Sequence, residues 1–336
     1  MEVKMRLGLL EGVFRLPARV LLKVEALEFR VPVRIGTTNV LITTPGVQPN
    51  ATNTLELVAP KMTALPPGVD RPARYGENGI VWGRIVNWAN DQPQANDSDA
   101  YIGAVTISRL LSEVGEETEA LAEENGRDLH ERIDSWWRLV ADWIEVLAGQ
   151  DLDPVSRPGH ELDLWFRHGG RGGTVNCPQP FSITGRLDTG LTRKTWQGVL
   201  HAASEGRPPP IEYLLLRDCL TASRRKERRR AVLDAATAAE MALSRLLDQE
   251  LSGERPESTA YIGDPGKHIR ERVDAIAKLG AKSPNQLIRD LAELRNRAVH
   301  GGVEPGVETT RAVLDLAESV VELAVPRISL LQMPAR

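Results

Sequence analysis

Gly206-Arg207-Pro208-Pro209-Pro210 divides the chain. Three consecutive prolines fix φ and remove backbone donors, so the stretch stops a helix and forms a short, stiff connector of polyproline geometry. The sequence changes texture across it. Upstream, apolar residues alternate at the period of strands; downstream, they recur at the period of helices. The expected fold is α+β. Residues 1–205 form a β-rich domain with a helical insert, 206–210 the proline-rich linker, and 211–325 an antiparallel all-α bundle. At 336 residues the chain exceeds the usual size of one core, which agrees with two units.

Working upstream, Val31, Val33 and Ile35, Val40 and Ile42, Leu55 and Leu57, and Ile80 and Trp82 alternate with polar neighbours as half-buried strands do. Turns are marked by Gly36, Pro45-Gly46 and Pro66-Pro67-Gly68. A helical insert from roughly Asp128 to Leu147 carries Leu129, Ile133, Trp136, Val140, Ile144 and Leu147 on one face, widened by Trp137 and Trp143. Core packing is the favoured role of that face, with a base-stacking platform as the alternative. Leu162, Leu164 and Phe166 suggest another strand, and Thr192 to Ser204 a helix. The expected architecture is a sandwich or barrel with this insert.

Downstream, Ser283-Pro284-Asn285-Gln286 opens a helix: Ser283 caps, Pro284 suits the first turn and Gln286 closes a capping box. Leu287, Leu291, Leu294 and Ala298 form its apolar stripe, and Gly301-Gly302 ends it. Arg295 falls on the flank of that stripe. Asn296 and His300 are four residues apart and neighbours on another face, so the imidazole has an orienting partner. Its place in the last turn, beside the negative end of the helix dipole, favours the imidazolium form. Breaks around Gly253 to Gly266, Gly280 to Ser283 and Gly301 to Gly306 divide 211–325 into four helical segments.

Arg295-Asn296-Arg297-Ala298-Val299-His300 has an arginine, a polar residue, three variable residues and a histidine. In this motif the chain resembles the HEPN domain family, helical bundles of higher eukaryotes and prokaryotes that bind nucleotides. The stretches Tyr213 to Asp218 and Arg229-Arg230-Ala231-Val232 through Ala235 to Glu240 are similar to the first two helices of bacterial HEPN-like proteins, including those near the ApeA group. The resemblance covers about a third of the chain. It implies metal-independent RNA cleavage at a homodimer interface, in antiviral defence or toxin-antitoxin settings, although the family also contains non-catalytic members.

The residues themselves suit that chemistry. A neutral histidine accepts the proton of a ribose 2′-hydroxyl, the oxygen attacks the adjacent phosphorus, and a guanidinium matches the charge that develops on the phosphate oxygens. The expected catalytic residues are therefore Arg295, Asn296 and His300. A single histidine per chain cannot comfortably serve as base and acid together; a homodimer supplies two. Glu240 is the supporting residue. Leu233, Glu240 and Leu247 are seven apart, so this carboxylate lies in line with leucines and requires a cation, for which Arg295 is the candidate. That pair would fix bundle register, hold Arg295 for catalysis, or both. The run Arg224-Arg225-Lys226-Glu227-Arg228-Arg229-Arg230 sets six cations against one carboxylate. It is either a solvated turn or a guide for RNA phosphates, in which Arg224, Arg225, Lys226, Arg228, Arg229 and Arg230 are the binding residues.

Two other readings stay open: a non-catalytic nucleotide- or protein-binding module, and a toxin component silenced by a partner such as a nucleotidyltransferase. The net charge of −4 excludes a protein that coats nucleic acid along its whole surface, so RNA is met through local patches. His168-Gly169-Gly170-Arg171-Gly172-Gly173 lacks the Lys-Ser/Thr of a Walker motif and is read as a hairpin loop in preference to a phosphate cradle. Histidines and the two cysteines, Cys177 and Cys219, have no metal-ligand spacing; neither a metal nor another cofactor is expected. No stretch reaches the twenty or so apolar residues of a membrane helix, and no secretory signal is legible, so the expected location is the cytoplasm.

Overall fold

The computed structural model describes residues 8–49, 55–60, 82–86, 99–111, 116–152, 164–168, 171–175, 189–251, 293, 295–297 and 304–332. The chain separates into two compact units, Met1–Arg207 and Pro208–Arg336.

The first unit is built on a five-stranded antiparallel sheet. Its strands are β1 (Gly8–Lys23), β2 (Arg30–Ile35), β3 (Thr38–Thr43), β6 (Gly83–Val86) and β7 (Asp99–Leu111), in the order β1-β7-β3-β2 with β6 also paired to β7. Between these in sequence, β4 (Gly46–Pro49) and β5 (Leu55–Val58) form a two-stranded ribbon, and β8 (Leu164–His168) pairs with β9 (Arg171–Val175) in a second. Central β7 is flanked along one side by β1 and along the other by β6 and then β3. Register in β1 jumps from Arg15 opposite Ala104 to Val20 opposite Ile102, so residues 16–19 face Gly103 alone. Pro17 lies in that bulge, where its missing N–H removes no ladder bond.

Alternation in β2 and β3 places Val31, Val33, Ile35, Val40 and Ile42 in the core. The facing layer is helical: α1 (Glu116–Ala148) packs against β1, β2, β3 and β7, and α2 (Arg193–Ser204) against β1 and β2. In the described residues helices thus cover the five-stranded sheet, where the sequence had suggested a sandwich or barrel. Trp136, Trp137, Val140, Trp143 and Ile144 of α1 are buried, as are Trp196, Val199 and Leu200 of α2. These indoles are core, not faces offered to bases. The helix starts twelve residues before Asp128 because its first turns, rich in Glu and Ala, are helical by propensity and carry little apolar periodicity.

The free edge of β1 is partly closed by side chain and loop. Gln150, 2% exposed, accepts from the Leu21 N–H at 2.9 Å and donates to the Leu21 and Thr189 carbonyls at 2.8 and 3.0 Å. Beside it Leu191 exchanges backbone bonds with Leu21 and Lys23. The β2–β3 turn, with Gly36 at φ +62°, docks on α1 through Asp128, which accepts from the Thr37 N–H and from both the Thr37 and Thr38 hydroxyls at 2.9–3.0 Å. Helix α2 is capped by Thr192, whose hydroxyl accepts from Thr195 N–H. It ends in a Schellman arrangement: Gly206, φ +67°, donates to Ala203 and Arg207 donates to Ala202. Arg207 then stacks its guanidinium on Trp143 at 5.4 Å, while the Trp143 indole N–H donates to the Arg207 carbonyl at 2.7 Å. The glycine of the sequence that divides the chain is therefore a helix stop, and the arginine after it anchors to α1.

The second unit contains α3 (Ile211–Arg224), α4 (Arg228–Leu251) and α5 (Val307–Ala324), followed by a 3-10 turn at Arg327–Gln332. All its described residues are helix, turn or coil. Helix α4 packs on both α3 and α5, and its alanines explain how. Ala231, Ala235, Ala238 and Ala242 form one buried stripe, and Val232, Ala236, Ala239 and Leu243 form another about 100° around the helix. Alanine at six of these eight positions lets two neighbours approach closely. Cys219 of α3 is fully buried and packs in this core; Cys177 lies outside the described residues. Tyr213 ties α3 to the end of α5, its hydroxyl lying 2.7 Å from the Val325 carbonyl and 2.8 Å from the Glu322 carboxylate. Burial, and then the Glu322 carboxylate, hold that hydroxyl well above the usual phenol range.

Candidate functional site

Of the expected catalytic set, Arg295 and Asn296 are described, are helical and lie in the second unit. His300 lies outside the described residues, as do the Ser283 start signal, Ala298, Val299 and the Gly301-Gly302 stop. Asn296 and Arg297 are exposed, whereas Arg295 is half-buried. The Arg295 Nε stands 3.7 Å from Glu240 Oε1, with the two side chains 36% and 27% exposed. The cation expected beside Glu240 is thus Arg295.

The environment of Glu240 differs in one respect from the apolar face inferred from its leucines. Leu233 is only half-buried, and Glu240 stands 40–100° around α4 from the Val232, Ala236, Ala239 and Leu243 stripe. The carboxylate therefore occupies the margin between core and solvent. An ion pair at such a margin keeps part of its hydration and adds little to stability. What the pair does is place: it sets the guanidinium beside a carboxylate at the edge of solvent, at a distance longer than a hydrogen bond.

The basic run bridges α3 and α4. Arg224 ends α3, Arg225 is its C-cap, and Arg228, Arg229 and Arg230 already form the first turn of α4. A second Schellman arrangement closes the turn: Lys226 donates to Ser223 and Glu227 to Ala222, with Lys226 in the left-handed region at φ +65°. Glu227 in turn caps α4, its carbonyl accepting from Ala231. Arg225, Lys226, Arg229 and Arg230 are exposed, Arg224 and Arg228 half-buried. The run is not a bare positive field. Arg230 is held by Glu227 at 3.4 Å and Asp234 at 3.5 Å, and Arg228 by Glu304 at 3.7 Å. Burial pushes the Asp234 carboxyl up, Asp218 adds to the rise, and Arg230 opposes it.

Arg295 and Glu304 bracket the end of the motif in sequence, and their partners order them along α4. Glu240 and Arg228 are twelve residues apart on that helix, about 18 Å at 1.5 Å per residue. Arg295 is therefore placed at the middle of α4 and Glu304 at the basic turn.

Two charged contacts of this unit have no signature in the sequence. Glu304 follows a glycine pair and carries no periodic signal; only its pairing with Arg228 reveals it. Glu212, 2% exposed in the first turn of α3, pairs with Arg245 of α4 at 3.1 Å, and residues 33 apart with no local motif leave no trace of such a contact. Among the described residues no group of three or more His, Cys, Asp or Glu side chains is gathered as metal ligands, and no described helix is long and apolar enough to cross a membrane.

No family model matches the chain, and neither a curated protein nor a solved structure does.

Proposed function

We propose that the second unit is a HEPN-like bundle and that the chain is a metal-independent endoribonuclease of a bacterial defence or toxin system. The observation that carries this reading is the Arg295–Glu240 pair. It places a half-exposed guanidinium that belongs to an Arg-Asn-x-x-x-His motif at the edge of solvent, where a cation can meet the charge of a pentacoordinate phosphate.

In this mechanism His300 takes the proton from the ribose 2′-hydroxyl, and the 2′-oxygen attacks the adjacent phosphorus as the 5′-oxygen leaves. The second His300 of a homodimer protonates that leaving oxygen. Arg295 neutralises the charge that accumulates on the non-bridging oxygens, and Asn296 orients the imidazole. Arg224, Arg225, Lys226, Arg228, Arg229 and Arg230 guide the RNA backbone. The site of action is the cytoplasm.

The test is cleavage of labelled RNA by purified full-length protein in EDTA. Wild type is expected to leave a 2′,3′-cyclic phosphate, detected by mass spectrometry of the fragments, and His300→Ala or Arg295→Ala to abolish it. Equal cleavage by wild type and His300→Ala would refute the assignment. A second reading, a non-catalytic nucleotide- or protein-binding module, is favoured by the same ion pair, because a marginal Arg–Glu contact also serves bundle register. It predicts RNA binding without cleavage and unchanged binding in His300→Ala.

A further inference from the structure

An open cavity of about 500 Å³ lies at the basic turn, lined by Glu227, Arg228, Arg229, Arg230, Leu233, Asp234 and Glu304. The volume suits a nucleotide-sized group. Its charges are balanced, but they are not equivalent. Glu227 and Asp234 stand three before and four after Arg230 and hold it along α4's own surface. Glu304 comes from a segment remote in sequence, pairs among the described residues with Arg228 at 3.7 Å, and keeps 59% of its side chain exposed. Of the three carboxylates it is the one that another anion can replace without disturbing α4.

We propose that this cavity is a phosphate-binding site and that Glu304 is its internal competitor. A phosphate oxygen takes the Arg228 guanidinium from Glu304, and the released carboxylate returns to water. The exchange favours the ligand because a phosphodiester accepts from the guanidinium fork with two oxygens, whereas the Glu304 contact is long and largely hydrated. The first-turn N–H groups of a helix, which have no acceptor within it, face the same end as Arg228, Arg229 and Arg230. Leu233 supplies the apolar wall against which a sugar or base can rest. Glu304 lies nine residues beyond Arg295 in the chain, so a phosphate at the turn alters a contact made by the segment that carries the motif. The inference rests on the reading of this turn as an RNA-phosphate guide, but it does not require catalysis.

The experiment measures binding of full-length protein to a fluorescein-labelled single-stranded DNA 12-mer, which lacks the 2′-hydroxyl and is not cleaved, across a KCl series. ADP and inorganic phosphate are titrated separately. Glu304→Gln is expected to tighten oligonucleotide binding by about two- to fivefold, the range of an exposed ion pair. Arg228→Gln is expected to weaken binding, and Arg228→Gln/Glu304→Gln to bind no tighter than Arg228→Gln alone. Glu308→Gln makes the same change of charge on exposed α5 surface and is the control. A response confined to the oligonucleotide assigns the site to backbone phosphate; a response shared by ADP or inorganic phosphate assigns it to phosphate in general. Equal tightening by Glu304→Gln and Glu308→Gln, or none by Glu304→Gln, overturns the proposal, as does failure of every probe to bind either wild type or Glu304→Gln. If RNA cleavage is absent while Glu304→Gln still tightens DNA binding, the nuclease reading fails and the phosphate site stands.

Discussion

Arg295 Nε and Glu240 Oε1 are 3.7 Å apart at the half-exposed margin of α4, so a guanidinium stands beside a carboxylate without being buried. Stability and activity should therefore separate on mutation. Glu240→Gln is expected to lower stability by less than about 1 kcal/mol, since both partners remain hydrated. RNA cleavage should fall about tenfold or more as the arginine loses the carboxylate that places it. Urea melts and single-turnover cleavage by the same preparation check both halves. A variant that loses stability at an unchanged cleavage rate would mark the pair as a register device.

Lys226 occupies the left-handed position of the Schellman turn between α3 and α4, at φ +65°. Glycine adopts that conformation without the Cβ conflict, and an L side chain there costs about 1 kcal/mol. Lys226→Gly is expected to raise the melting temperature while weakening RNA binding and flattening its salt dependence through the loss of one cation. A fall in thermal stability would show that the lysine makes a compensating contact.

The contrast between two Schellman turns illustrates what the sequence discloses. Gly206 advertises the end of α2 because glycine before prolines is a strong stop signal; Lys226 does the same work in the structure without any compositional mark. Strands β2 and β3 were legible because their side chains alternate over a one-sided core. The long strands β1 and β7 are hard to read from the sequence, since Gly12, Pro17 and Ala18 in one and Gly103 and Ala104 in the other blur the alternation. Their identity comes from pairing with each other. At the candidate site, the heptad spacing of Glu240 with two leucines points to a cation beside it, although the carboxylate stands at the margin of the core and not within an apolar face. Glu304 gives no such sign, because an exposed glutamate in a coil demands nothing.

Asp128 joins the β2–β3 turn to α1. Partial burial pushes its carboxyl up, but hydrogen bonds from the Thr37 backbone and from the Thr37 and Thr38 hydroxyls, with help from Arg132, outweigh that and hold it below the ordinary carboxylate value. A lowered folded-state pKa stabilises above the unfolded value of about 3.9, and the contribution disappears as pH falls through the folded value. Asp128→Asn should thus melt roughly 2–4 °C below wild type at pH 7, the shift expected for one net hydrogen bond in a domain of this size. The difference should close below pH 4. A gap of constant size across this range would remove the carboxylate's charge from the account.

Gln150 offers an isosteric test of how the β1 edge is closed. Its amide donates to two carbonyls, Leu21 and Thr189, and accepts from Leu21 N–H in a site 2% exposed. Gln150→Glu keeps the shape but turns the donor into a carboxylate oxygen facing those carbonyls. The expected loss is about 3 kcal/mol or more at neutral pH, partly recovered on acidification when the side chain regains a proton. Chemical denaturation at pH 7 and pH 4.5 measures it, and equal loss at both values would place the effect elsewhere.

Base and acid act in the same transesterification, one taking a proton from the 2′-oxygen as the other delivers one to the 5′-oxygen, and a motif with a single histidine supplies only one of them per chain. Two copies of His300 in a homodimer supply both. Specific cleavage activity of wild type should therefore fall on dilution through the dimer dissociation constant, in step with the dimer fraction seen by sedimentation. Added His300→Ala protein should poison wild type by forming mixed dimers that hold one imidazole. If activity is linear in protein concentration well below dimer dissociation, and an excess of His300→Ala leaves it unchanged, each chain works alone and the acid must be another group, to be sought by pH–rate profiles of the monomer.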